Sequence, residues 1–195
     1  MSTVPVPTGV LPSRESTLMR PTPTARRPSR ALLRSGTEAD ARAMHALVAE
    51  HVTEGRLLAR SQDEIAAHAH RFVVAVRKNR LVGCADLAPL SRAVAEVRSL
   101  VVSPEARSIG LGRRLIDELV RRAAGAGFEK LCAFTHAPAY FLEMGFSIVP
   151  HAWLPEKIEA DCSECAQFRH CGQYAVVLPL VRPRQTCVPL ALLHG

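Results

Sequence analysis

A short loop with two glycines and an arginine has the composition of a phosphate-binding site. It reads Arg107-Ser108-Ile109-Gly110-Leu111-Gly112, follows an apolar stretch that ends at Val102, and leads into an amphipathic stretch. Glycine lets the backbone approach an anion closely, and free amides at a helix start, aided by the helix dipole, bind phosphate oxygens. Arg113 and Arg114 add positive charge beside the loop. The loop therefore predicts a site for a ligand that carries phosphate.

The spacing of the two glycines differs from that of two common nucleotide-binding motifs. A dinucleotide fold needs G-x-G-x-x-G directly after its first strand, and a Walker loop needs Gly-Lys followed by Ser or Thr. Here the pattern is R-x-x-G-x-G, and it follows the fourth predicted strand. The alternative, that the two glycines only begin a helix, is disfavoured because an apolar strand, a Ser-Pro turn and a long helix flank them.

A mixed sheet with helices is needed to position this loop. Apolar periodicity and turn residues predict strands over residues 31–35, 71–76, 81–87, 94–102, 130–135, 147–149 and 174–180. Helices are predicted after Thr37 and after Ser61, each with an acid three residues on, and over residues 110–124 and 139–144. The order β-α-α-β-β-β-α-β-α-β-β predicts an α+β fold with an α/β mixed sheet.

The chain of 195 residues divides by composition into a tail, one domain and an extension. Residues 1–30 hold five arginines, one acid and six of the fourteen prolines, which predicts a disordered tail. An organellar transit peptide is the alternative, but the proline density disfavours the helix that such peptides form. Residues 31–182 are predicted to form the domain and residues 183–195 a C-terminal extension.

Composition also limits the classes of molecule that the protein is expected to bind. The body outside the tail is only mildly basic and no basic run is interleaved with aromatic residues, so no nucleic-acid partner is predicted. No run of 18 apolar residues and no secretory signal is visible, so we expect no membrane span and a cytoplasmic location. A small anionic ligand is the partner that fits best, and whether the chain forms a homodimer stays open.

The strand, loop and helix around Arg107 resemble the GCN5-related N-acetyltransferase (GNAT) superfamily over residues 32–180. The resemblance implies its acyl-CoA N-acyltransferase fold in a single domain, with acetyl-CoA as co-substrate. Amides of residues 109–113 would hold the pyrophosphate, and Val101 and Val102 would bond the pantetheine arm like an added strand. The implied cofactor-binding residues are Leu100, Val101, Val102, Arg107, Ser108, Ile109, Gly110, Leu111, Gly112, Arg113 and Phe141.

The stretch from Phe141 to Phe146 looks like the aromatic-x-x-x-Gly-Phe helix of that superfamily, which flanks the thiol end of the cofactor. Many members carry at its first position a tyrosine that protonates the leaving thiolate. Phe141 holds that position here, and Tyr140, one residue and about 100° earlier on the helix, is the candidate acid.

A narrower resemblance is to the short, stand-alone N-acetylglutamate synthases. It is carried by residues 55–61, 64–65, 83–87, 95–100, 141–146, 154–158 and 161–162. It implies transfer of acetyl to the α-amine of L-glutamate, the first step of arginine biosynthesis, without the kinase-like half of the long enzymes. Two alternatives stay open: an acetyltransferase for another amino acid, a polyamine or a protein amine, and a non-catalytic metal- or redox-responsive binding module.

Acetyl transfer to an amino acid needs a base, because the acceptor is an ammonium at pH 7. Glu96, an isolated acid in an apolar strand, is the candidate, and a Glu96–Arg98 ion pair at the sheet surface is the structural alternative. Strand alternation predicts that Glu96, Arg98 and Leu100 share one face. Two carboxylates on the acceptor require cations. The candidate substrate-binding residues are Arg60, Arg98, Lys157 and Thr135.

A cysteine cluster follows near the end of the domain. Cys162, Cys165 and Cys171 form C-x2-C-x5-C, and His170 precedes the last of them. Three thiolates and a histidine have the ligand types of a structural zinc site, which is one interpretation of this cluster. Reduced thiols that pack in a connection and a redox switch are the alternatives.

Overall fold

The computed structural model describes residues 31–53, 57–165 and 168–180. In these residues seven strands form one sheet in the order β1-β2-β3-β4-β5-β7-β6. Neighbouring strands run antiparallel except β4 and β5, which are parallel. The α+β fold with a mixed sheet is thereby confirmed, while the predicted tail over residues 1–30 and the extension over residues 183–195 lie outside the described part of the chain.

The strands form close to where alternation and turn residues place them. They are β1 Leu32–Ser35, β2 Phe72–Arg77, β3 Arg80–Pro89, β4 Val94–Val102, β5 Lys130–Thr135, β6 Ser147–Val149 and β7 Tyr174–Pro179. The bounds of β4, β5 and β6 are the predicted ones, and the other four are displaced by one or two residues. Lys78 and Asn79 have positive φ and form the turn between β2 and β3.

The helices begin at side-chain caps, at glycine or, for the two short helices near the end of the domain, at proline. They are α1 Ala41–Thr53, α2 Gln62–Ala67, α3 Leu111–Gly125, α4 Pro138–Leu142 and α5 Pro155–Lys157, which runs into a π-helical turn over Ile158–Cys162. Thr37 and Asp40 form a capping box before α1, and the Ser61 hydroxyl accepts a hydrogen bond from the Glu64 amide before α2. Each cap satisfies amides that have no partner inside the helix.

The sheet separates two apolar cores. On one face Leu115, Ile116 and Leu119 of α3 pack against Val73 and Ala95. On the other, α1 and α2 pack their apolar stripes against β2, β3 and the end of β4. The layers are therefore helix, sheet and helices, with the central strand β4 buried between them. Among the described helices none is long and apolar enough to cross a membrane.

Candidate active site

A cleft opens in the sheet where β4 and β5 separate. Their parallel pairing runs from Val94 opposite Lys130 to Glu96 opposite Cys132, whereas β5 stays paired with β7 up to Thr135. The cleft has a volume of about 910 Å³ and is lined by β4 from Glu96 to Val102. Beyond Glu96, the register therefore leaves the β5 side of β4 open to the cleft, and peptide groups on such an edge can pair with an extended ligand.

A bulge interrupts β4 inside this cleft. Cys84 is opposite Val101 and Asp86 is opposite Arg98, so Ser99 and Leu100 have no register partner on β3. Ser99 has a φ of 49° and is buried. A non-glycine residue with positive φ is uncommon and costs energy. The bulge takes Ser99 and Leu100 out of the β3–β4 ladder, and the Ser99 carbonyl accepts a hydrogen bond from the Cys84 thiol instead.

The bulge also corrects the predicted faces of β4. Leu100 and Val102 pack against the same core cluster as Val97, whereas Val101 belongs to the cluster on the opposite face. Simple alternation placed Leu100 with Glu96 and Arg98, and that prediction was wrong. The extra residue in the bulge shifts every side chain after it to the other face.

The predicted phosphate loop lies at the end of β4. Residues 107–110 are exposed, and Ser108 and Gly110 have positive φ values of 61° and 73°. Gly110 caps α3 without a side-chain hydrogen bond, so no capping side chain occupies the first amides of this 15-residue helix. Leu111 faces the core, and only its backbone is available to a ligand. The loop therefore presents amides and the positive helix end, as an anion requires.

Arg107 is held at the mouth of the cleft by two contacts. Its Nε donates to the Val102 carbonyl at 3.2 Å, and its Nη2 lies 3.0 Å from Nε2 of His51. No local sequence pattern singles out His51, which lies on α1 and is 8% exposed. A long-range contact of this kind leaves no local pattern.

Tyr140 and Phe141 both line the cleft from α4. A methyl group built on Gly112 would collide with the Tyr140 hydroxyl, so the tyrosine lies directly over the first turn of α3. Burial, followed by the charge of Asp117, raises the pKa of Tyr140 and keeps it a proton donor. Phe141 is buried against Phe146, with ring centroids 5.2 Å apart. The acid role of Tyr140 stays a prediction.

The other end of the cleft gathers four charged side chains into one cluster. Arg98 donates from Nε to Glu96 and from Nη2 to Asp161. Lys157 Nζ lies 2.8 Å from Glu96 Oε1 and 2.7 Å from Asp161 Oδ2. The Glu96–Arg98 ion pair considered as the structural alternative thus exists, but it lies inside the cleft rather than on an outer surface. Asp161 is a member that the sequence analysis missed.

A second set of charges flanks this cluster. Asp86 is fully buried and accepts two hydrogen bonds from Arg71, at 3.2 Å and 3.1 Å. Arg60 lines the cleft, donates to Glu64 at 2.7 Å and lies 3.9 Å from Asp86. A buried carboxylate needs such partners, so Asp86 fixes the strands behind the cleft and attracts Arg60 towards it.

Thr135 lines the cleft at the end of β5. Its hydroxyl accepts a hydrogen bond from the Ala137 amide at 3.0 Å, which shapes the turn into α4. Besides Tyr140, five of the predicted catalytic and substrate-binding residues therefore line the same cleft. They are Arg60, Glu96, Arg98, Thr135 and Lys157.

The cysteine cluster does not assemble into a metal site. Cys162 and Cys165 are half-buried, Cys171 and His170 are exposed, and the three thiols are free. In the part of the chain that the structure describes, no three His, Cys, Asp or Glu side chains are grouped closely enough to hold a metal ion. The zinc prediction therefore finds no support. Cys165 instead lines the cleft beside Asp161.

Comparison with known proteins gives consistent matches. Residues 38–146 match the acetyltransferase (GNAT) family. The chain is 31% identical over 148 residues to an uncharacterized N-acetyltransferase of Chlorobaculum tepidum, across 76% of this chain and 96% of that protein. It is 33% identical over 118 residues to an amino-acid acetyltransferase of Neisseria meningitidis, across 60% of this chain and 27% of that protein.

Among solved structures, the fold resembles an N-acetylglutamate synthase from Neisseria gonorrhoeae complexed with coenzyme A and N-acetyl-glutamate. The TM-score is 0.71 and the identity 27%, over 80% of this chain and 36% of that one. The chain thus spans about a quarter of the curated amino-acid acetyltransferase and about a third of the synthase.

Proposed function

The chain belongs to the acetyltransferase (GNAT) family, and from that premise we propose that it transfers acetyl from acetyl-CoA to the α-amine of L-glutamate. It would then act as an N-acetylglutamate synthase at the first step of arginine biosynthesis. The observation that carries the proposal is the contact of the candidate base Glu96 with two cations, Arg98 and Lys157, at the inner end of the cleft. Likeness to the synthase complexed with N-acetyl-glutamate supports the same acceptor.

Acetyl-CoA is proposed to lie along β4 with its pyrophosphate at the loop. The open edge of β4 offers backbone groups of residues 100–102 to the pantetheine amides, which would add to the sheet like a strand. The exposed amides at the start of α3 would receive the pyrophosphate, with Arg107 beside them. This placement directs the thioester towards Glu96, because Glu96 and the loop lie at opposite ends of the strand segment that lines the cleft.

The reaction needs two protons removed from the acceptor nitrogen. Glu96 would take the first, directly or through water, and so convert the ammonium into a nucleophilic amine. The amine attacks the thioester carbonyl, and backbone amides at the Ser99 bulge would stabilise the oxyanion. The C–S bond then breaks, and the thiolate is protonated with Tyr140 as the proposed donor. The second proton from nitrogen replaces it, so one proton is released per turnover.

The cations around the inner end suit an acceptor with two carboxylates. Arg98 and Lys157 lie on either side of Glu96, and the charge of Arg60 also acts on Asp161 in the same cluster. Arginine binds carboxylates through paired N–H donors. We propose that these three cations divide the α- and γ-carboxylates of glutamate between them, with Thr135 at the edge of the same pocket.

A screen of amines with acetyl-CoA tests the proposal, with the release of free CoA thiol as the readout. L-Glutamate is expected to give the highest kcat/KM. Glutamine and aspartate are the matched controls, since they remove or displace the side-chain carboxylate, and a polyamine tests acceptors without a carboxylate. Turnover of another amine without turnover of glutamate would overturn the proposed acceptor. If no amine in the screen causes release of CoA thiol, the catalytic proposal is overturned.

A further inference from the structure

The carboxylate-binding cations of the cleft already have carboxylate partners within the chain. Arg98 and Lys157 each contact both Glu96 and Asp161, so two cations and two anions alternate around a closed cluster. Because these four formal charges cancel, the cluster has no unpaired cation to offer to an incoming carboxylate. An acceptor carboxylate that binds Arg98 and Lys157 must therefore replace one of the two internal anions.

Asp161 is the anion that is free to leave. Its side chain is 35% exposed, compared with 4% for Glu96, 10% for Lys157 and 18% for Arg98. It lies in the short π-helical turn Ile158–Cys162, whereas Glu96 is fixed in the central strand β4. Partial burial raises the pKa of Asp161, but the hydrogen bond and charge of Lys157 lower it by more. The net pKa is therefore below the usual value, and the group is held as an anion.

Charge balance gives the reason for an exchange. If an acceptor carboxylate approached Arg98 and Lys157 while Asp161 still held them, two carboxylates would compete for the same donors at contact distance, and like charges that close repel each other. If it replaced Asp161, the two cations would keep two anions and Asp161 would move into water. Because Asp161 is already partly exposed, moving its carboxylate into water costs less free energy than moving that of Glu96.

We propose that Asp161 occupies the carboxylate subsite as an internal stand-in, and that the acceptor binds by displacing it from Arg98 and Lys157. The inference rests on the proposed function for the position of the acceptor. It extends the proposed function by naming the class of substrate that fits the site. Only amines that carry a carboxylate, as amino acids do, can take the place of Asp161 as the partner of Arg98 and Lys157. Polyamines cannot make this exchange.

The test is Asp161→Asn, which keeps the shape of the side chain and removes its charge. Without the internal competitor, the KM for L-glutamate should fall about three- to tenfold, a range typical of one partly exposed ion pair, while the KM for acetyl-CoA stays unchanged. Glu159→Gln is the matched control, because it removes one negative charge from an exposed position in the same turn and should leave both constants unchanged.

A second measurement separates this inference from the proposed function. Glutarate carries two carboxylates and no amine, so its binding to the protein reports the carboxylate subsite without turnover. Asp161→Asn should tighten glutarate binding by a similar factor, even if glutamate proves not to be the substrate. Unchanged or weaker glutarate binding in a variant with wild-type thermal stability would overturn the stand-in. A raised KM for glutamate would instead assign Asp161 to the acceptor ammonium.

Discussion

The contact between His51 and Arg107 predicts that a side chain on α1 controls cofactor affinity. Nδ1 of His51 lies 3.0 Å from the Leu47 carbonyl, which can only accept, so Nδ1 carries the proton. Nε2 is then the unprotonated nitrogen and accepts from Arg107 Nη2 at 3.0 Å. Together with the Val102 carbonyl, His51 fixes the guanidinium beside the phosphate loop.

The size of the effect follows from these two contacts. A hydrogen bond to a charged group contributes about 1.5–3 kcal/mol. Arg107 is exposed and keeps its bond to Val102, so we take the lower limit. About 1.4 kcal/mol corresponds to a tenfold change, and loss of the contact should raise the KM for acetyl-CoA about tenfold. The kcat should stay unchanged because Glu96 lies at the far end of the cleft.

Two substitutions of His51 separate the contact from the packing of the ring. In His51→Gln the terminal amide reaches the position of Nε2 and can accept from Arg107, whereas in His51→Asn it reaches only the position of Nδ1. Steady-state kinetics should show a near-normal acetyl-CoA KM for the glutamine variant and the tenfold increase for the asparagine variant. Both lose the same ring, so similar melting temperatures are the control. Equal KM values in the two variants, or an effect on kcat, would refute the positioning role.

Three further predictions concern the base, the first turn of α3 and acid stability. Glu96→Gln should lower kcat about 10²- to 10⁴-fold with the dissociation constant of acetyl-CoA unchanged by calorimetry, and a fully active variant would exclude Glu96 as the base. Gly112→Ala should displace the Tyr140 hydroxyl, which ends a side chain that is 38% exposed and can rotate away, so the unfolding free energy should change by less than about 1 kcal/mol while kcat falls about as far as in Tyr140→Phe; an unchanged kcat would contradict the contact. Arg34 donates a hydrogen bond to Asp40 and holds the pKa of that carboxyl well below its usual range. The ion pair therefore stabilises the fold above about pH 4, and this stabilisation is lost as the pH falls. Asp40→Asn should therefore lower the unfolding free energy by about 1 kcal/mol at pH 7. On acidification to pH 2 the melting temperature of this variant should fall less than that of the wild type, and equal decreases in the two proteins would contradict this.

Sequence patterns sufficed to predict the strands and helices that carry the site, because these elements are specified by neighbouring residues. The alternation in β4 and the turn residues around it predicted its bounds, and the predicted amphipathic helix α3 buries one apolar face, which consists of Leu111, Leu115, Ile116, Leu119 and Ala123. Capping pairs such as Thr37 with Asp40 mark helix starts within four residues of chain. The phosphate loop was visible for the same reason, since its strand, glycines and helix follow one another directly.

The details of the site depended on contacts that sequence periodicity does not encode. Asp161 meets Arg98 from 63 residues away, and Arg107 meets His51 from 56 residues away. Ser99 adopts positive φ without being glycine, so nothing marked the bulge that moves Leu100 to the other face. The family resemblance, together with local patterns, therefore predicted which residues surround the cleft, and the tertiary fold decided which of them pair.

The pairing divides the cleft into two ends that suit different ligands. At the loop, Arg107 is held by a carbonyl and a neutral ring, so its charge stays available to the cofactor's phosphates. At the inner end, Arg98 and Lys157 are neutralised until an acceptor arrives. Of the cations there, Arg60 has its shortest contact with the exposed Glu64, which competes weakly in water. On the proposed function, one carboxylate of glutamate therefore displaces Asp161 and the other engages Arg60. An acceptor with a single carboxylate could satisfy only one of these two sites, which gives a physical reason for a preference for dicarboxylic amino acids.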